Sequence, residues 1–93
     1  MSDVRVEDHP EQSRYEARVG DELAGFADYR SAGGVVDLVH TEVDDAFGGQ
    51  GVGSALARFA LDDVRRSGRS VRPSCWFIAG WIERHPDYAD LVA

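Results

Sequence analysis

Three groups of residues in this chain have types and spacings suited to chemistry. The first is Gly48-Gly49-Gln50-Gly51-Val52-Gly53-Ser54, with four glycines in six positions. A glycine loop that opens a helix leaves backbone N–H groups unpaired, pointing forward and reinforced by the positive end of the helix dipole. The natural occupant of such a place is a phosphate. Gly49, Gly51 and Gly53 would let a diphosphate approach the main chain closely and would permit positive φ. The loop lacks the Gly-Lys-Ser/Thr ending of a triphosphate-binding loop, and no acidic residue closes a following strand as a dinucleotide fingerprint requires. A flexible connector that binds nothing is the other reading of the same glycines. The second group is His40 and Glu42, two residues apart and therefore on one face of a strand. Either can take a proton directly or through water; the alternatives are a histidine packed beneath the sheet and a solvated strand-end carboxylate. The third is Cys75, the single cysteine, read at a strand end before a helix whose dipole favours thiolate. It can be a nucleophile, a redox-sensitive thiol or a small packed hydrophobe.

The elements that must position these groups are legible from pattern. Val35 to Val43 is β-branched and bounded by Gly33-Gly34 and Asp44-Asp45, which predicts a strand. Val52, Ala55, Leu56, Phe59, Ala60 and Val64 recur at helical spacing with Arg58, Asp62, Arg65 and Arg66 off the stripe, and Gly68 stops the helix. Asp62 and Arg66 are placed to pair one turn apart. Upstream, Val4 to Glu7 reads as a first strand ended by His9-Pro10. Arg14 to Val19 and Leu23 to Tyr29 form a hairpin around Gly20-Asp21, and Ser31-Ala32-Gly33-Gly34 turns the chain into the His40 strand. The first half is thus an antiparallel meander of three or four strands. Gly25 within a strand marks a bulge, a close contact or simple tolerance, of which tolerance is the expectation. Ser70 to Cys75 is short and β-compatible and returns parallel to the His40 strand through a right-handed crossover, with Pro73 interrupting its pairing. Phe77, Ile78, Trp81, Ile82 and His85 mark a second helix, which Pro86 ends. Asp87 to Leu91 is expected to pack as a turn, with His85 and Tyr88 fixing it against the second helix.

The loop, in its setting between a strand and a helix, resembles the acetyl-coenzyme A loop of the GNAT superfamily of N-acetyltransferases, a Gln/Arg-x-x-Gly-x-Gly/Ala pattern. Gly48 stands where that pattern usually has Gln or Arg. His40-Thr41-Glu42-Val43, Pro73-Ser74-Cys75-Trp76-Phe77-Ile78-Ala79 and Arg84-His85-Pro86-Asp87-Tyr88-Ala89-Asp90-Leu91 extend the resemblance, which looks like the short YjdJ-type branch and covers most of the second half. It implies an α/β (α+β) fold of miniature GNAT type across 1–93 as a single acetyl-CoA-binding domain. It implies acetyl-CoA as acyl donor, with no metal, held by Gly48, Gly49, Gln50, Gly51, Val52, Gly53 and Ser54 and by backbone near Thr41 and Val43. A splay between the His40 and Pro73 strands would admit the pantetheine arm. His40, Glu42 and Cys75 become the catalytic candidates for transfer to a small or protein amine. Where this branch usually carries a tyrosine as proton donor the chain has Trp81, whose indole cannot transfer a proton; Tyr88 and water remain. The helices after the first strand and the last two strands of full-length relatives are missing, so the acceptor pocket is shallow or supplied by something else. A non-catalytic acyl-CoA-binding or interaction domain is the alternative, and a structural protein whose loop binds nothing is the third.

Composition narrows the setting. Ninety-three residues, 43% apolar, suit one domain with a modest core. One cysteine excludes an internal disulfide and suits a reducing compartment. No apolar run has the length of a signal peptide or membrane span, which makes the cytoplasm the expected location and a membrane an unexpected partner. All ten basic residues are arginine and the net charge is −7, which argues against sequence-independent nucleic-acid binding and is read as solubility before attraction of a basic substrate. A monomer or weak homodimer is expected.

Overall fold

The computed structural model describes residues 3–93, and it orders them as a five-stranded sheet with two helices. Strands β1 (Val4–His9), β2 (Arg14–Val19), β3 (Glu22–Ala32) and β4 (Val35–Val43) run as an antiparallel meander. Helix α1 (Val52–Arg66) then crosses over and β5 (Ser70–Arg72) pairs parallel to β4, giving the order β1-β2-β3-β4-β5. Helix α2 (Trp76–Arg84) and a 3₁₀ turn at Pro86–Leu91 close the chain. This is the mixed α+β architecture that the alternation of strand and helix patterns predicts.

Several boundaries differ from the sequence reading, each for a local reason. Ser31 and Ala32 belong to β3, because Gly33 and Gly34 both adopt positive φ (59° and 81°) and complete a two-residue hairpin alone. β5 is only three residues long, since Pro73 has no N–H to continue the ladder. Asp62 does not pair with Arg66. That arginine reaches Asp63 at 2.7 Å, while Asp62 accepts the Tyr88 hydroxyl at 2.7 Å.

Both helices lie against one face of the sheet. Tyr15, Ala17, Ala27, Val36 and Leu38 alternate inward to meet Val52, Leu56, Ala57, Ala60, Leu61 and Val64 of α1 and Ile78, Trp81 and Ile82 of α2. Full burial of side chains such as Leu56 and Leu61 contributes about 2 kcal/mol each, so the stripe at helical spacing determines how α1 docks. Two phenols on opposite sides then fix it. Tyr15 of β2 donates to Asp63 at 2.9 Å, and Tyr88 donates to Asp62 from the other side. Burial, and then the bond to Asp63, push the Tyr15 hydroxyl far above its ordinary pKa, so it stays a donor. The outer face of the sheet carries Arg14, Glu16, Arg18, Phe26, Asp28, His40 and Glu42 and, among the described residues, has no helix over it.

Gly25 is a correction to the expectation of tolerance. A Cβ there would lie 2.7 Å from the Glu42 carbonyl oxygen and 3.1 Å from Val52 Cγ1, so the glycine is demanded by the close approach of β3, β4 and the start of α1.

Candidate functional site

The stretch between β4 and α1 begins with a 3₁₀ turn, Asp45–Phe47, capped by Asp44, whose side chain accepts from Ala46 N–H at 2.8 Å. The glycine run follows. Gly49 and Gly51 take positive φ (81° and 77°), which side-chain-bearing residues rarely adopt, whereas Gly48 has an ordinary φ of −59°. Gly51 is the N-cap of α1 and, having no side chain, caps nothing. The first main-chain bond of α1 is Ala55 N–H to Gly51 C=O at 2.9 Å, so the N–H groups of Val52, Gly53 and Ser54 point forward out of the helix. A chain with seventeen acidic residues places none in this first turn, where an acidic side chain is ordinarily favourable. No acidic side chain of that turn therefore offsets the positive end of α1.

Gly53 has a packing reason to be glycine beside the one read in sequence. A Cβ on it would meet the Phe77 ring at 2.7 Å, so it is the seat on which α2 packs, and Gly49 and Gly51 supply the unusual backbone.

Beside this loop the sheet opens. Pairing of β4 with β5 covers only Val35, Val36 and Asp37 opposite Ser70, Val71 and Arg72. Pro73 follows, and the Cys75 N–H bond to the Leu38 carbonyl at 2.8 Å is the last main-chain link across the gap. Beyond it Val39 to Val43 run on with no strand on that side, among the described residues.

The residues singled out for chemistry fall on two sides of β4. Cys75 is 6% exposed, serves as N-cap of α2, and its thiol donates to Thr41 Oγ1 at 3.4 Å on the helix side. His40 and Glu42 stand together on the outer side, His40 Nε2 3.3 Å from Glu42 Oε1, with side chains 57% and 63% exposed. A histidine packed under the sheet is thereby excluded. Phe26 flanks them, its ring centroid 6.1 Å from that of His40 and 3.8 Å from the Arg14 guanidinium carbon. Tyr88 is occupied elsewhere. Its hydroxyl serves Asp62, eleven residues beyond Gly51 along α1, about 16 Å by helical rise. The Asp62 bond, with burial, raises its pKa. The turn it anchors is thus held against α1, and His85 and Tyr88 both tie it to α2 as expected, His85 Nδ1 lying 2.8 Å from the Trp81 carbonyl and the Tyr88 ring centroid 5.4 Å from that of Trp81.

Sequence reasoning missed one connection. Trp81, fully buried, donates its indole N–H to Ser54 Oγ at 3.2 Å, joining α2 to the first turn of α1. The signal was available, since a buried indole N–H needs an acceptor and the exposed loop offers a hydroxyl.

A family model for the GCN5-related N-acetyltransferases matches residues 14–91, and this chain belongs to that family. It is similar to the protein NATD1 of chicken and of human, 40% identical to each over 52 residues, or 56% of this chain. The matched segment spans just under half the length of those relatives, 47% and 46%. A GCN5-like protein from Staphylococcus aureus has a similar structure, with a TM-score of 0.74 and 25% identity over all of this chain and 91% of that one. Ard1 from Thermoplasma volcanium matches 66% of this chain and 43% of its own, with a TM-score of 0.58 and 27% identity. No helix among the described residues is long and apolar enough to cross a membrane.

Proposed function

We propose that residues 1–93 form a single domain that binds acetyl-CoA and passes its acetyl group to an amine. The observation that carries the reading is the start of α1. Its forward-pointing N–H groups, its N-cap without a side chain and its freedom from acidic residues suit a diphosphate, with Gly48 to Ser54 as the cradle. The pantetheine arm would run from there into the gap beside β4, and backbone around Thr41 and Val43 would polarise the thioester carbonyl. The amine nitrogen attacks that carbonyl carbon, the carbon–sulfur bond breaks, and the amine proton passes to His40 or Glu42 directly or through water. With Trp81 unable to supply a proton and Tyr88 bound to Asp62, water is the donor to the departing thiolate. The acceptor, small molecule or protein, would approach from the outer face of the sheet.

A non-catalytic acyl-CoA-binding domain is the second reading, favoured by the missing acid at Trp81 and the uncovered outer face. Calorimetric titration with acetyl-CoA, CoA and ADP, followed by mass spectrometry on mixed amines, separates the two: binding with turnover supports the first, and binding without it supports the second. Gly51→Val should weaken CoA binding by about 2 kcal/mol, the scale of one or two charge-assisted hydrogen bonds. Wild-type affinity in a folded Gly51→Val chain would overturn the cradle.

A further inference from the structure

Ser54 is exposed, and the bond it receives comes from a residue in the core. An indole N–H only donates, so Ser54 Oγ is the acceptor in this pair. A hydroxyl that receives on its oxygen keeps its own hydrogen to give elsewhere, and Ser54 sits in the turn whose N–H groups face forward out of α1. The indole itself is held in place. His85 stacks on it with ring centroids 3.7 Å apart and planes 14° from parallel, and the Arg58 guanidinium carbon lies 5.3 Å from its centroid. The donor direction is consequently fixed by packing.

We propose that Trp81 is a positioning residue for the coenzyme: by donating to Ser54 Oγ it aims the Ser54 hydroxyl hydrogen at the diphosphate bound ahead of α1. The inference rests on the coenzyme reading above and adds to it a residue that touches no ligand. It also accounts for an indole where the family resemblance implies a tyrosine. A phenol can donate or accept, which would leave the orientation of the Ser54 hydroxyl open, and the indole removes that choice. What this position gives up is a group able to protonate a thiolate.

A double-mutant cycle read by calorimetric titration of CoA tests it. Ser54→Ala and Trp81→Phe should each bind about tenfold more weakly, the scale of one hydrogen bond to a charged group. The double variant should be no weaker than the weaker single one, because both changes remove the same bond. Ser54→Thr, which keeps the hydroxyl, should stay within about twofold of wild type. Additive losses, or an unchanged affinity in Ser54→Ala, overturn the inference while leaving the coenzyme site standing. Absence of CoA binding by the wild type overturns the site and the inference together. The Trp81 indole N–H resonance gives a measurement that leaves the core untouched: it should move in Ser54→Ala and on adding CoA to the wild type, and indifference to both counts against the proposal.

Discussion

The Cys75 thiol donates to Thr41 Oγ1 across 3.4 Å, on the face of β4 opposite to His40 and Glu42. Thiol and candidate bases are thus separated by the thickness of a strand. A covalent relay would need the thiolate to take the acetyl group and a base nearby to deprotonate the incoming amine. The two groups that could serve as that base stand on the other side.

Cys75 should therefore line the pantetheine channel without carrying the acetyl group. CoA should slow its alkylation, and incubation with acetyl-CoA alone should add no hydroxylamine-sensitive acetyl mass. A single acetyl adduct that disappears in Cys75→Ala would establish the relay instead. Alkylation at one rate with and without CoA would return Cys75 to the core.

For His40 the geometry separates chemistry from stability. Its ring is exposed and its bond to Glu42 lies at the surface, where such pairs contribute little. His40→Ala should leave the unfolding midpoint and CoA affinity near wild type while slowing the single-turnover acetyl step by roughly a hundredfold. Unchanged turnover would move the base to Glu42 or to water.

How much of this was open to sequence reading depended on the range of the cause. β4 and α1 were legible because β-branching and helical periodicity are local properties of Val35 to Val43 and Val52 to Val64. Pro73 likewise announced the loss of regular pairing in the last strand, though not that β5 would end at Arg72. The packing role of Gly53 was not legible, since its cause is the Phe77 ring, which α2 brings over it from twenty-four positions further on. Asp62 and Asp63 could not be told apart either. Their partners, Tyr88 and Tyr15, arrive from the last turn and the second strand. The loop was recognisable from its glycines, but the Trp81 to Ser54 bond required the packed helices.

His9 provides a pH-dependent prediction. Its hydrogen bond to Glu7, with Glu11 and Glu16 also beside the ring, raises its pKa above the ordinary value. A raised folded-state value means that the stabilisation is complete below about pH 6.5 and is lost as pH climbs through the folded value. Glu7 is lowered by the same bond, so its contribution disappears only in acid. The denaturation midpoint should then fall between about pH 6 and about pH 8, and fall less in His9→Gln. An NMR titration placing His9 at or below its ordinary value would overturn this.

Gly25 links the sheet to the loop and makes the last prediction. It pairs with Val43 in the β3–β4 ladder, and Val52, the first residue of α1, rests on it. A methyl group at this position would press on the Glu42 carbonyl oxygen and Val43 Cα, which belong to backbone, and on Cγ1 of Val52, the first residue of α1. Gly25→Ala should accordingly cost about 1–3 kcal/mol, the range for forcing an extra carbon into a packed site. Gly48→Ala is the matched control. Its φ is ordinary and its nearest neighbour would be the Asp45 carbonyl oxygen at 3.4 Å, so stability should change by less than about 0.5 kcal/mol. Urea denaturation measures both. Because Val52 also opens the turn that presents its N–H groups to the coenzyme, Gly25→Ala should weaken CoA binding even under conditions where it remains folded. A folded Gly25→Ala protein with wild-type affinity would mean that the start of α1 is held by the loop and by Phe77, independently of the sheet beneath it.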